Sequence, residues 1–420
     1  MAPGALQALG LEVFGAADAE EAQGPSSSPP KGICRLLPKF KRASLSEPAA
    51  SFHDAEPSDE GSKRGGADAM PPRVPAHISS FLCKGVKGTK QYSGIAAGPD
   101  GNLYCAPLNA SCVLVIDPKT QTSSLIGGLG DGNFKYDGIA LGPDGKLYCA
   151  PFESNRVLVI HPERQTVSFI DGVDGMVKYS GIALGPDGRL YCAPSNSSKV
   201  LVIDPESQSL SFIEGAGTGD HKYAGIAMGP DGRMYCAPCH SDKVLVVDPE
   251  KKAVSFIDGA GEGQWKYEGI AAGLDGRLYC APRHSDRILV VDAWERAVSF
   301  LDGVGDGTYK YSGIAAARDG RLYCAPLNSS SVLVVEPMRA GVIFLDGAGK
   351  GDLKWSGIAE GPDGLLYGAP RDCGKVLQAT PGAQHAHWLA IDQMGTHFLD
   401  QLTADGEALS NSGEEQSSCR

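Results

Sequence analysis

The sequence predicts an all-β fold: a seven-bladed β-propeller of four-stranded antiparallel blades, with disordered N-terminal and C-terminal tails. Three observations predict it. A Gly-Ile-Ala triplet recurs at Gly94, Gly138, Gly181, Gly225, Gly269, Gly313 and Gly357, in steps of 44 residues and once 43. That period is the length of one propeller blade, and seven copies close a ring. Within each period, short runs of alternating apolar residues are separated by Gly-Pro-Asp-Gly and Gly-rich turns, which is the pattern of strands. Finally, an outer-strand Phe, Leu or Trp occurs eight times, from Phe81 to Trp388, one more than the number of blades. One of the two end strands must therefore close the ring and remove its open edge. We favour the strand near 78–83, joining blade seven.

The elements of one blade follow in order. In blade three, Tyr179 to Leu184 is the innermost strand. Gly185-Pro-Asp-Gly188 is a tight turn in which Pro presets φ and Gly accepts a positive φ. Arg189 to Pro194 is the second strand. A loop at Ser195 to Ser198 leads to a third strand, Lys199 to Asp204, stopped by Pro205. Leu210 to Ile213 is the outer strand, and the loop from Gly215 to Gly219 carries the chain onward. Repeated Cys105, Cys149, Cys192, Cys236, Cys280 and Cys324 sit one per blade. Equivalent positions in neighbouring blades lie too far apart for disulfides, so they read as small apolar packing residues.

The domain reading is 1–77 disordered, 78–392 propeller and 393–420 flexible tail. The first segment is rich in Ala, Gly, Pro, Ser and acids without periodicity. It contains a basic stretch, Lys31 to Arg42, followed by Ser44. That stretch reads as a solvated charge run or as a docking motif. The chain carries a formal charge of -12, with the acidic surplus spread over all three segments. Nucleic acid is thereby excluded as a general partner. No run has the length of a transmembrane span. The many repeated thiols and the lack of a convincing leader predict a cytoplasmic, monomeric protein.

The repeat Tyr-Ser-Gly-Ile-Ala-x-Gly-Pro-Asp-Gly-x-Leu-Tyr, followed by Val-Leu-Val-Ile-Asp-Pro, resembles the NHL-type repeat. It is also similar to blades of the gluconolactonase/senescence-marker and streptogramin-lyase propellers. The resemblance spans all seven repeats and implies the fold. Its families range from protein-binding platforms to metal-dependent hydrolases and lyases. In gluconolactonase-like members a Glu in Glu-Gly-Pro helps hold a divalent metal. Glu360-Gly361-Pro362 matches, in blade seven alone. Their metal Asn before the Gly-Ile-Ala type strand has no match: that slot reads Ser93, Asp137, Ser180, Ala224, Glu268, Ser312 and Ser356.

Residues present in every blade serve blade geometry, whereas those that break the repeat are free to serve a single site. The Lys-aromatic pairs at Lys135, Lys178, Lys222, Lys266, Lys310 and Lys354 ring one face of the channel. They read as a collar for an anionic ligand, or as repeated ion pairs to loop acids such as Asp258, Asp302 and Asp346. Four residues beyond the repeated Cys, the ring reads Asn109, Glu153, Asn196, His240, His284, Asn328 and Asp372. This spot either wants a short polar group for its own loop or, at His240 and His284, offers imidazoles for a metal. Cys239, beside His240, is a candidate reactive thiol. No catalytic residue can be assigned and no cofactor is firmly indicated, although a divalent metal at Glu360, His240 and His284 is the enzyme alternative. The leading expectation is a binding or scaffold propeller. It would present Asp137, Glu153, Glu268 and their neighbours to a protein or small polar ligand. Convergence of Glu360 with the two histidines would favour a metal-dependent hydrolase or lyase instead.

Overall fold

Residues 78–82 and 88–382 are described by a computed structural model; the basic stretch at 31–42, Ser44, Trp388 and both tails lie outside them. The strands form seven four-stranded antiparallel sheets. Six sheets are built from consecutive strands, as in blade three: Tyr179–Leu184, Leu190–Pro194, Lys199–Asp204 and Ser209–Glu214. The seventh takes three strands from its own repeat, Trp355–Glu360, Leu366–Pro370 and Lys375–Ala379. Its outer strand is Ile78–Leu82 from the start of the described chain. Ile78 pairs with Ala379 and Leu82 with Lys375, and the Ser79 hydroxyl donates to Gln378 Oε1 at 3.0 Å. The ring is thus closed by the N-terminal strand.

Alternation within Leu-Tyr-Cys-Ala-Pro explains the core. Each second strand is buried on both faces, so both sets of side chains must be apolar. Tyr191 and Ala193 pack against the blade that follows, with Tyr223, Ile226 and Cys236. Leu190 and Cys192 pack against the blade before, with Tyr148 and Val159. The core is therefore a ring of seven interfaces, one between each pair of neighbours. The repeated cysteines lie fully inside it, and no disulfide joins any described cysteine. Blade seven has Gly368 at the equivalent place because a Cβ there would sit 2.8 Å from Leu377 Cβ.

Two repeated contacts account for the rest of the motif. The turn aspartate of Gly-Pro-Asp-Gly accepts the hydroxyl of the Tyr four residues on, at 2.7 Å for Asp100–Tyr104 and 2.8 Å for Asp187–Tyr191. The same contact recurs in the other blades, up to Asp363–Tyr367. The second contact is between glycines. A Cβ on Gly225 would lie 3.0 Å from Gly269 Cα, and one on Gly357 would lie 2.9 Å from Gly94 Cα. The innermost strands touch backbone to backbone around the whole axis, which only glycine permits. Beside each glycine the first strand pair shifts register, as between Tyr179 and Ile182. Such a bulge re-aims a side chain, and here the residue before the glycine faces the axis.

Candidate ligand-binding site

Three rings of blade-specific residues meet at one end of the axis. The outermost is the residue before each collar lysine, and before Gln91 in blade one: Lys90, Phe134, Val177, His221, Trp265, Tyr309 and Leu353. All seven have positive φ, between 49° and 55°. For side chains other than glycine this left-handed conformation costs on the order of 1 kcal/mol each. Hydrogen bonds hold it in place. The carbonyl of Trp265 accepts from His284 N at 3.0 Å, and that of Val177 accepts from Asn196 N at 3.0 Å. The amide of the same position is taken by the preceding blade. Phe134 N donates to Asn109 Oδ1 at 2.9 Å, His221 N to Asn196 Oδ1 at 2.8 Å and Leu353 N to Asn328 Oδ1 at 2.8 Å. Lys90 N donates to Asp372 Oδ1 and so links blade seven to blade one. The result places all seven side chains around the mouth of one cavity of about 580 Å³.

The middle ring is the residue after the Pro that ends each second strand. Phe152, Ser195, Cys239, Arg283 and Arg371 line the cavity from it. The innermost ring is the bulged position, where Asp137 and Glu268 interrupt a run of Ser and Ala. Arg283 is the centre of the arrangement. It is 9% exposed, and its Nη1 lies 2.8 Å from Glu268 Oε2. Its guanidinium carbon stands 4.6 Å from the Trp265 ring centroid and 4.7 Å from that of Tyr309. Both aromatic contacts are cation–π geometry. Arg283 Nε and Arg371 Nε are buried with no hydrogen-bond acceptor among the described residues. Although Nη1 is close, no N–H points squarely at Glu268 Oε2, which still lacks an aligned donor. Asp137 accepts from the Ser180 hydroxyl at 2.6 Å. Burial, and then the charge of Glu268, raise its pKa above the ordinary carboxylate value.

The structure places the sequence-predicted residues as follows. The six lysines are buried, 2% to 8% exposed, and face neither solvent nor the acids. Lys222 Nζ donates to the carbonyls of Ser195 (2.9 Å), Ser197 (2.9 Å) and Gly219 (3.3 Å). Lys135, Lys178, Lys266, Lys310 and Lys354 make the same kind of contact. Expected ion pairs to Asp258, Asp302 and Asp346 are replaced by carbonyls: Asp258 pairs with Lys243, and Asp346 accepts from Ser331. The collar is a set of staples between blades. Desolvation lowers each ammonium's pKa, for Lys222 to about 8.

The ring that follows the repeated Cys divides in two. Asn109, Asn196, Asn328 and Asp372 bond the next blade's backbone rather than their own loop. His240 and His284 do not: His240 stands edge-on to Trp265 at 4.7 Å, and His284 edge-on to Tyr309 at 4.6 Å. Burial lowers the pKa of both below the ordinary imidazole value, which keeps them neutral near pH 7. Glu153 and Asn328 line the cavity. Glu360 does not join them. It ends the strand Trp355–Glu360, whose other end is at the mouth, so the two ends are separated by roughly 17 Å at ~3.3 Å per residue. There it accepts from Arg318 N at 3.2 Å. The expected metal set of Glu360, His240 and His284 is therefore not assembled. Among the described residues no group of three His, Cys, Asp or Glu is placed to hold a metal. Cys239 is 2% exposed, and burial pushes its thiol up to about 12, the opposite of an activated nucleophile. Sequence reasoning missed the left-handed ring, Arg283 and Arg371.

No protein-family model matches the sequence, and no curated protein matches it. Solved structures do match. Streptogramin B lyase superposes with a TM-score of 0.62 at 12% identity, over 73% of this chain and 97% of that one. Catalytically inactive virginiamycin B lyase from Staphylococcus aureus with quinupristin gives 0.63 at 13% identity, over 73% and 99%. Hydrazine synthase from Kuenenia stuttgartiensis gives 0.54 at 18%, over 72% and 98%. Such identities speak for architecture alone. By fold, the chain is a streptogramin-lyase-like seven-bladed β-propeller.

Proposed function

We propose that the protein is a ligand-binding propeller that takes a small polar molecule into the mouth of its axial channel. The observation that carries this reading is Arg283. A guanidinium is buried at the wall of a cavity, against the rings of Trp265 and Tyr309, with a donor left over. A cavity of about 580 Å³ lined by aromatics and a few convergent polar groups has the size and character of a small-molecule site. The metal-dependent hydrolase alternative is not favoured, because Glu360 and the two histidines do not converge.

The test is isothermal titration calorimetry on the full chain with a panel of sugars, nucleosides, carboxylates, amines and amino acids. At least one member is expected to bind, and Trp265→Ala is expected to weaken it by tenfold or more. A panel without any Trp265-dependent binder overturns the reading.

A further inference from the structure

We infer that the ligand carries an α-amino-acid headgroup, a carboxylate and an ammonium on one carbon, beside an aromatic or large apolar side chain. The inference rests on reading the mouth cavity as a ligand site. It is carried by the unmatched atoms there. Two buried donors, Arg283 Nε and Arg371 Nε, have no acceptor among the described residues. One buried acceptor, Glu268 Oε2, has no aligned donor. A buried polar atom left unbonded costs more than its bond would contribute, so such atoms mark where a partner belongs. A purely anionic ligand would answer the guanidinium edges and leave Glu268 Oε2 without an aligned donor. A purely cationic ligand would do the reverse.

Geometry narrows the class further. Arg283 and Glu268 are adjacent, 2.8 Å apart, so the ligand's two charges must also be adjacent. Trp265 and Tyr309 both stand against the guanidinium, at 4.6 Å and 4.7 Å, and a carboxylate is expected to meet its free Nε–H edge. An ammonium next to that carboxylate reaches Glu268, with Asp137 as the second acid in the same cavity. Asp137 is bonded by a hydroxyl and forms no ion pair among the described residues. The remainder of the wall mixes polar groups, among them Lys90, Glu153, Asn328 and Asp352, with an aromatic patch. Phe134 and Phe152 stand 6.5 Å apart, and His221 packs on Trp265 at 4.4 Å. That surface fits an aromatic or large aliphatic side chain.

The experiment is calorimetry on the full chain at pH 7 with three probes: L-phenylalanine, 3-phenylpropionate and phenethylamine. L-phenylalanine is expected to bind, and each analogue to bind at least about tenfold more weakly, because each leaves a buried polar atom without its partner. Glu268→Gln and Arg371→Gln are each expected to weaken L-phenylalanine by a similar factor. Arg283→Met would strand Glu268 and unsettle the fold, so Arg371→Gln, with an unchanged melting temperature, is the deciding variant. Equal binding of 3-phenylpropionate overturns the ammonium half, and equal binding of phenethylamine overturns the carboxylate half. If no probe binds while another panel member binds through Trp265, the headgroup inference fails and the pocket reading stands. If nothing binds through Trp265, both fail.

Discussion

Replacing Gly225 with Ala tests the backbone contact that closes the axis. Gly225 does not have a positive φ, so alanine brings no conformational strain of its own. The added Cβ would lie 2.8 Å from the Glu268 carbonyl oxygen, 3.0 Å from Gly269 Cα and 3.1 Å from Ile270 N. All three are backbone atoms of the next blade, and none can rotate away. Overpacking against movable side chains costs about 1–3 kcal/mol, and a backbone obstacle belongs at the upper end, about 3 kcal/mol. A propeller of roughly 300 residues has an unfolding entropy near 0.6 kcal/mol per degree, so the melting temperature should fall by about 5 °C. Circular dichroism melts of the full chain read this directly. Gly127→Ala is the control: nothing lies within 4 Å of that Cβ, and no shift beyond about 1 °C is expected. Gly181→Ala should be worse than Gly225→Ala, since it adds a φ of +83° to a 2.7 Å clash with the Ala224 carbonyl. If Gly225→Ala melts within 1 °C of the parent, the inner strands can spread and the glycine argument is wrong.

Two further perturbations follow from the same repeats. Lys222→Met strips the donor from the carbonyls of Ser195, Ser197 and Gly219, and should cost on the order of 3 kcal/mol in urea unfolding; an unchanged midpoint would mean the staple carries no weight. Alkaline unfolding should be abrupt. Burial holds Tyr136, Tyr179, Tyr223, Tyr267 and Tyr311 near about 12 against an ordinary 10.0, and holds the thiols of Cys149, Cys192, Cys236, Cys280 and Cys324 above 9.0. The unfolded chain sheds these protons first, so their stabilisation is complete below about pH 9 and is lost as pH rises beyond it. The lysines act oppositely between about pH 8 and 10.5, because their pKa is lowered in the fold. The urea midpoint is therefore expected to hold to about pH 10 and then drop steeply, and a midpoint still level at pH 11.5 would contradict the burial of these groups.

The fold was legible because each constant residue answers a constant geometric demand. The glycine of Gly-Ile-Ala meets its own copy in the next blade, and the turn aspartate meets the tyrosine four residues on. The lysines were misread for the opposite reason. A repeated charge implies a repeated partner, but the partners are carbonyl oxygens, which every residue carries and no residue type announces. Asp137 and Glu268 were visible as breaks in a run of Ser and Ala. Arg283 and Arg371 were equally visible breaks, one position earlier than the ring that drew attention. The left-handed ring shares no residue type at all, from Val177 to Trp265. Its signal was variability itself: one position that changes in every blade, next to a lysine that hardly changes. The histidines depart from the Asn pattern, since among the described residues neither side chain bonds the neighbouring amide. Each imidazole turns to the aromatic beside it instead.

Closure by the N-terminal strand sets a schedule for biosynthesis. Ser79 meets Gln378 across 299 residues. At about 5–20 residues per second, the ribosome delivers the second partner roughly 15–60 s after the first. Blades one to six can form in turn during that time, each on the edge of its predecessor. Of the strands described, the one made earliest must wait without its mate until the last repeat emerges. A nascent chain stalled in blade seven would hold both halves of the seam apart, and a neighbouring chain on the same message could supply the missing strand.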